Sequence, residues 1–108
     1  MSYELDFHPK VLKEWKKLNS DTQNKFKKKL KQRLQQPHVA SAKLSGIPNC
    51  YKIKLRSVGY RLIYRVIDDI VVVYVLAVGR RENDEVYENL SNRQVNIDEL
   101  EDTEDDND

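Results

Sequence analysis

The residues best suited to chemistry in this chain are Lys52, Lys54, Arg56, Tyr60, Arg61, Arg80, Arg81 and Tyr87. Lys52, Lys54 and Arg56 alternate with Tyr51, Ile53 and Leu55, so a strand puts the three cations on one face and the apolar side chains on the other. Lys and Arg are poor strand formers, and a strand that spends every outward position on a cation points to an anionic ligand. The same alternation also suits an antiparallel sheet with one wet face. A set of Lys, Arg and Tyr can cleave RNA, because the substrate's own 2′-OH is the nucleophile. The protein then needs a proton acceptor for that hydroxyl, a donor for the leaving 5′-oxygen, and cations around the phosphorane. A lysine acceptor needs a lowered pKa. Two cations about 6 Å apart repel by about 2.8 kcal/mol at an effective dielectric of about 20, or roughly two pK units, so two such neighbours bring Lys54 into the catalytic range. The only histidines, His8 and His38, lie outside the basic strands, and no carboxylate cluster interrupts them. The expectation is chemistry without metal, cofactor or histidine.

The elements that must carry these residues follow from periodicity. Residues 2–7 alternate as a first strand, and Pro9 opens a helix with Val11, Leu12, Trp15 and Leu18 on one stripe. Ser20 and Gln23 have the spacing of a capping box. They open a second helix with a Phe26, Leu30, Leu34 spine, which Pro37 stops. That helix carries Lys25, Lys27, Lys28, Lys29, Lys31 and Arg33, a solvated basic surface that also steers the protein toward phosphates. Three strands follow, at 50–56, 60–67 and 70–79, joined by Ser57-Val58-Gly59 and by Asp68-Asp69. A two-residue Ser57-Val58 loop sets Lys54 directly opposite Arg61 on one face. The third strand, apolar on both faces, is expected to be central. Residues 84–90 read as a short last helix with Tyr87. The expected fold class is α+β, an antiparallel sheet in the order β-α-α-β-β-β-(α) with a helical hairpin packed on one face.

Composition bounds the partners. The chain has 108 residues, 39% of them hydrophobic, enough for one small core. All 19 Lys and Arg lie in residues 1–93, while eight of the 18 acids lie in the last eleven, so residues 1–97 hold 19 cations against ten carboxylates, net +9. So basic a body points to a polyanion. Residues 1–91 are read as one domain and 92–108 as an acidic, disordered tail. Cys50 is the only cysteine, which fits a reducing cytoplasm. No export signal or apolar run of membrane length is visible.

The runs CYKIKLRSVGYRLIYRV, VVVYVLAVGRREN and VYENL, with LDFHPKVLKEWKKL and the KLSGIPN loop, resemble the RelE family of bacterial toxins over about residues 2–90. The diagnostic pattern is K-x-K-x-R, then G-Y-R-L-x-Y, then a strand ending G-x-R with a Tyr six residues beyond that Arg. The resemblance implies a fold similar to microbial RNases and a ribosome-dependent endoribonuclease that cuts messenger RNA in the A site. It implies Lys54 as base or transition-state stabiliser, Arg61 as phosphate clamp, and Lys52 as electrostatic support. Arg81 would act as the acid or as the stabiliser of the leaving group, and Tyr87 would stack on and orient a substrate base, with a share in acid–base work as the alternative. Arg56, Arg80 and Lys43 are candidate RNA contacts, although Arg56 and Arg65 also fit simple solvated strand cations. Ser45 departs from the basic residue expected there. The resemblance further implies a RelB-like antitoxin, with operator DNA bound only through the antitoxin complex. The competing functions are a toxin-fold protein that poisons a topoisomerase and a non-enzymatic ribosome- or RNA-binding module. The acidic tail is either a solubilising extension or a segment that folds back on the basic body.

Overall fold

The computed structural model describes residues 2–80 and Val86. Strand β1 (Glu4–Phe7) leads into helices α1 (Val11–Lys16) and α2 (Ser20–Gln35), followed by β2 (Cys50–Leu55), β3 (Tyr60–Ile67) and β4 (Val72–Arg80). The strands lie in the order β1-β4-β3-β2. β4 is therefore central, as its two-sided apolar sequence requires. The sheet is mixed rather than wholly antiparallel: β2–β3 and β3–β4 are antiparallel, whereas β1 and β4 run parallel. The helical hairpin makes this possible. It carries the chain from β1 across the sheet to its far edge, and two reversals then bring β4 back beside β1 in the same direction.

The helical hairpin packs as the stripes predict, with two corrections. Val11 and Leu18 are buried and Trp15 partly so, but Leu12 is 44% exposed, because α1 is too short for a full apolar face. The cap of α2 is Asn19, one residue before the Ser20 expected: its Oδ1 accepts from the Thr22 N–H at 2.8 Å. Gln23 instead donates through Nε2 to the carbonyls of Trp15 at 2.9 Å and Leu18 at 3.3 Å, which fastens the end of α1 to the start of α2. Helix α2 buries Thr22, Phe26 and Leu30 with Leu34 partly covered, and it ends at Gln35 ahead of Pro37.

These side chains meet Tyr51, Ile53, Leu55, Leu62, Tyr64, Val66, Val73, Val75 and Val78 in the main core. The opposite face holds a smaller cluster of Leu44, Cys50, Ile63, Leu76, Ala77 and Val86. A bulge between Ile63 and Tyr64 shifts the β3–β4 register between the two. Past Phe7, where β1 ends, α1 takes over: Glu14 Oε1 accepts from the Val78 N–H at 3.1 Å. The expected helix over 84–90 and the tail lie outside the described residues, apart from buried Val86.

Both hairpin connections are longer than expected. Residues 56–59 form a four-residue turn closed by the Gly59 N–H on the Leu55 carbonyl at 3.0 Å, with Gly59 at φ +69°, which only glycine adopts without cost. The second is a 3₁₀ turn, Asp68–Ile70, followed by Val71 at φ +56°.

Candidate active site

The longer turn preserves the expected register. Lys54 lies opposite Arg61, and Arg61 opposite Gly79, so one row crosses β2, β3 and β4. Strand alternation puts Lys52, opposite Ile63, on the same face. That face turns away from the helical hairpin, since Tyr51, Ile53 and Leu55 fill the main core. Lys52, Lys54 and Arg61 are all half-buried. Their aliphatic stems are thus held by the sheet while the charged ends reach solvent. Lys54, Leu55, Arg56, Gly59, Tyr60 and Arg61 line an open pocket of about 310 Å³. Its volume matches a nucleotide-sized ligand, and its cations suit a phosphate.

The other sequence candidates separate. Arg56 is exposed at the start of the turn and joins the rim of this pocket. Arg80 lies opposite Tyr60, on the hairpin face, where its guanidinium sits 5.8 Å from the Tyr60 ring centroid and Nε donates to the hydroxyl at 3.4 Å. It therefore falls on the opposite side of the sheet from Lys54 and Arg61. Lys43 is exposed and bridges to Tyr51 at the edge of β2, which by register also aligns it with the hairpin face. Arg81 and Tyr87 lie outside the described residues. Arg65, read as a solvated cation, is only 5% exposed: it sits between Cys50 and Tyr74 in the strand register, under the smaller apolar cluster.

One residue that shapes the site is absent from the sequence-derived set. Arg33, half-buried on α2, donates through Nη1 to the Tyr64 hydroxyl at 2.8 Å and to the Lys52 carbonyl at 3.4 Å. The Tyr64 hydroxyl in turn donates to the Pro37 carbonyl at 2.7 Å. Burial raises the Tyr64 pKa, opposed by the Arg33 guanidinium, so the phenol stays protonated and both bonds persist. The arrangement ties the end of α2 to the strand that presents Lys52. Its signal lay in spacing: Arg33, the only arginine among the α2 lysines, is seven residues past Phe26 and three past Leu30, on the core stripe.

Both histidines are engaged elsewhere. His38 contacts the Tyr51 hydroxyl at 3.0 Å and Asp68 Oδ1 at 2.9 Å, and the Tyr3 hydroxyl donates to the same oxygen at 2.7 Å. Hydrogen bonds from Tyr3 and then His38 hold the Asp68 carboxyl below its ordinary pKa. Buried His8 accepts at Nδ1 from the Lys10 N–H at 3.1 Å and packs against Tyr74. Tyr74 is five residues along β4 from Gly79, roughly 17 Å from the Lys54–Arg61 row.

Comparison with known proteins bears on the family and the fold. The family described as the ParE toxin of the type II toxin–antitoxin system parDE matches residues 5–85. The mRNA interferase toxin RelE of Escherichia coli K12 is 56% identical over 87 residues, covering 81% of this chain and 92% of RelE. A putative RelE-like toxin protein of E. coli is 50% identical over 93 residues, covering 86% of this chain and 98% of the relative. Among solved structures, a double Arg-to-Ala mutant of E. coli RelE in the free state superposes with TM-score 0.80 at 53% identity, covering 86% of this chain and 98% of its own. The toxin chain of the intact E. coli RelBE toxin–antitoxin complex gives 0.73 at 54% identity, covering 76% and 100%.

Proposed function

The chain belongs to the ParE toxin family of type II toxin–antitoxin systems, and on that premise we propose that it is an mRNA interferase that cuts messenger RNA in the ribosomal A site. The observation that carries the reading is the Lys54–Arg61 row beside Lys52, with neither His8 nor His38 lining its pocket. The RNA phosphate sits against Arg61, whose planar fork matches two phosphate oxygens. Lys54 accepts the 2′-OH proton or holds the charge of the phosphorane, and Lys52 adds positive potential. The 2′-oxygen bonds to phosphorus, the P–O5′ bond breaks, and the leaving oxygen takes a proton, giving a 2′,3′-cyclic phosphate and a 5′-hydroxyl. Arg81 is proposed to stabilise that leaving oxygen and Tyr87 to stack on a substrate base.

Supply of RNA by the ribosome fits so open a pocket. A shallow cationic surface binds phosphate but has few groups to orient a nucleotide, so a partner that fixes the RNA supplies the alignment that catalysis needs. A RelB-like antitoxin is the proposed silencing partner, by analogy with the RelBE complex, and operator DNA is reached only through that complex. The cytoplasm is its proposed compartment, where this substrate is translated. Residues 1–91 are proposed as the toxin domain, with the tail outside it.

Primer extension on a message translated in a purified system tests the function. Cuts phased to codons, present with ribosomes and at least tenfold weaker on the naked message, are expected. Equal cutting of naked RNA would overturn ribosome dependence. Intact message with halted DNA supercoiling would favour a topoisomerase target, and intact message with stalled translation a binding module.

A further inference from the structure

A second cationic surface lies on the other side of the β2 terminus from the pocket just described. Lys25, Lys28, Lys29 and Gln32 occupy positions i, i+3, i+4 and i+7 of α2 and share one face of the helix. That face and the segment Lys54–Ser57 enclose a groove of about 650 Å³. Among the described residues, five cations line it (Lys25, Lys28, Lys29, Lys54 and Arg56) and no carboxylate does. One acid stands near: Asp21 pairs with Lys25 at 3.4 Å, both exposed, a contact worth little in water. Lys54 and Arg56 belong to this groove and to the pocket alike.

The same chain carries the complementary charge. Residues 98–108 hold eight carboxylates and no cation. We propose that this acidic segment docks, within its own molecule, in the groove between α2 and the end of β2, and competes there with RNA phosphate for Lys54 and Arg56. Reach is sufficient. Eleven residues, 87–97, lie between Val86 and Asp98, and these twelve Cα steps span about 40 Å when extended, against a longest dimension of 43 Å for the body. A tether of that length keeps the segment near millimolar local concentration, so weak pairings at several lysines add up to occupancy. Because the contacts are exposed ion pairs, the docking is strong at low ionic strength and lost within a few ångströms' screening length at high salt. The docking stands on charge and geometry alone. Its effect on RNA rests on the nuclease reading only in the choice of ligand.

Carbodiimide coupling of the intact chain, mapped by mass spectrometry with an equimolar isotope-labelled copy to separate intrachain from interchain bonds, tests it. At 20 mM NaCl, bonds from carboxylates 98–108 to Lys25, Lys28 and Lys29 are expected to exceed those to Lys10, Lys13, Lys16 and Lys17 by about fivefold, and to reach parity at 500 mM. An even spread over both sets, no bonds at all, or interchain bonds only would overturn the proposal; the last would make the occupant a second copy. In a second arm, a full-length variant with Asn or Gln at the eight acidic positions binds a 2′-O-methyl RNA oligonucleotide about tenfold tighter than wild type at 20 mM NaCl and within twofold at 500 mM. Equal affinity at low salt would overturn the competition. The oligonucleotide cannot be cleaved and the coupling uses no RNA, so both arms read the same whether or not the nuclease reading holds.

Discussion

Charge alone does not distinguish Arg61 from Arg80; the face each occupies does. Arg61 shares a row with Lys54, whereas Arg80 stacks on Tyr60 across the sheet. Arg61→Ala is therefore expected to lower single-turnover cleavage of ribosome-bound message by about 10²-fold or more, and Arg80→Ala by less than about threefold. Equal losses would mean that both arginines act only through general attraction. Arg61→Lys is expected to recover little, since an ammonium cannot clasp two phosphate oxygens at once. Tyr64 gives a stability test. Tyr64→Phe leaves the Pro37 carbonyl and the Arg33 guanidinium without their shared partner, and is expected to cost about 1–3 kcal/mol in chemical denaturation. Asp68 gives a pH test. Its carboxyl is held below the ordinary value, so the stability it adds is present above about pH 4 and is lost as pH falls through the lower folded pKa. The stability gap between wild type and Asp68→Asn is expected to be widest near neutral pH and to close in acid; a constant gap would exclude the ionised carboxylate as its source.

At the scale of elements, the basic row depends on a hairpin whose turn sets the register. Gly59 at φ +69° is the position where a side chain is strained, although nothing lies within 4 Å of the Cβ it would carry. Gly59→Ala is expected to cost about 1 kcal/mol, read as a lower denaturant midpoint with unchanged slope. A shifted register would instead show as a collapse in cleavage out of proportion to the stability lost. Much of this architecture was legible beforehand. Alternation gave the faces of β2 and the Lys54–Arg61 pairing, and the two-sided apolar run gave a central β4. The parallel pairing of β1 was not legible, because strand order depends on how the helical hairpin crosses the sheet and no local pattern encodes that. Arg65 was misread for a related reason. Arg61, four residues earlier on the same face of β3, reaches solvent, but Leu44 and Val86, from elsewhere in the chain, close over the part of the sheet that holds Arg65. Arg33 hid among lysines because a long cationic side chain on the core stripe looks like the edge of a solvated face.

At the scale of the molecule, the main core and the candidate site lie on two sides of one sheet. The hairpin side holds the main core and fixes the strands, and the other presents Lys52, Lys54 and Arg61. With net +9 over residues 1–97, association with ribosomes is expected to weaken steeply with salt, by more than tenfold between 50 and 200 mM, while the bound complex cleaves at a nearly constant rate. The central claim is that Lys54 acts at the reacting phosphate rather than as one more cation. Single-turnover cleavage of message on saturating ribosomes tests it most directly, comparing wild type with Lys54→Ala and with Lys27→Ala, an exposed α2 lysine outside both cationic surfaces. The account predicts a rate about 10²–10⁴-fold lower for Lys54→Ala, with ribosome affinity within about threefold of wild type, and no change for Lys27→Ala. Equal rates for the two variants would contradict it.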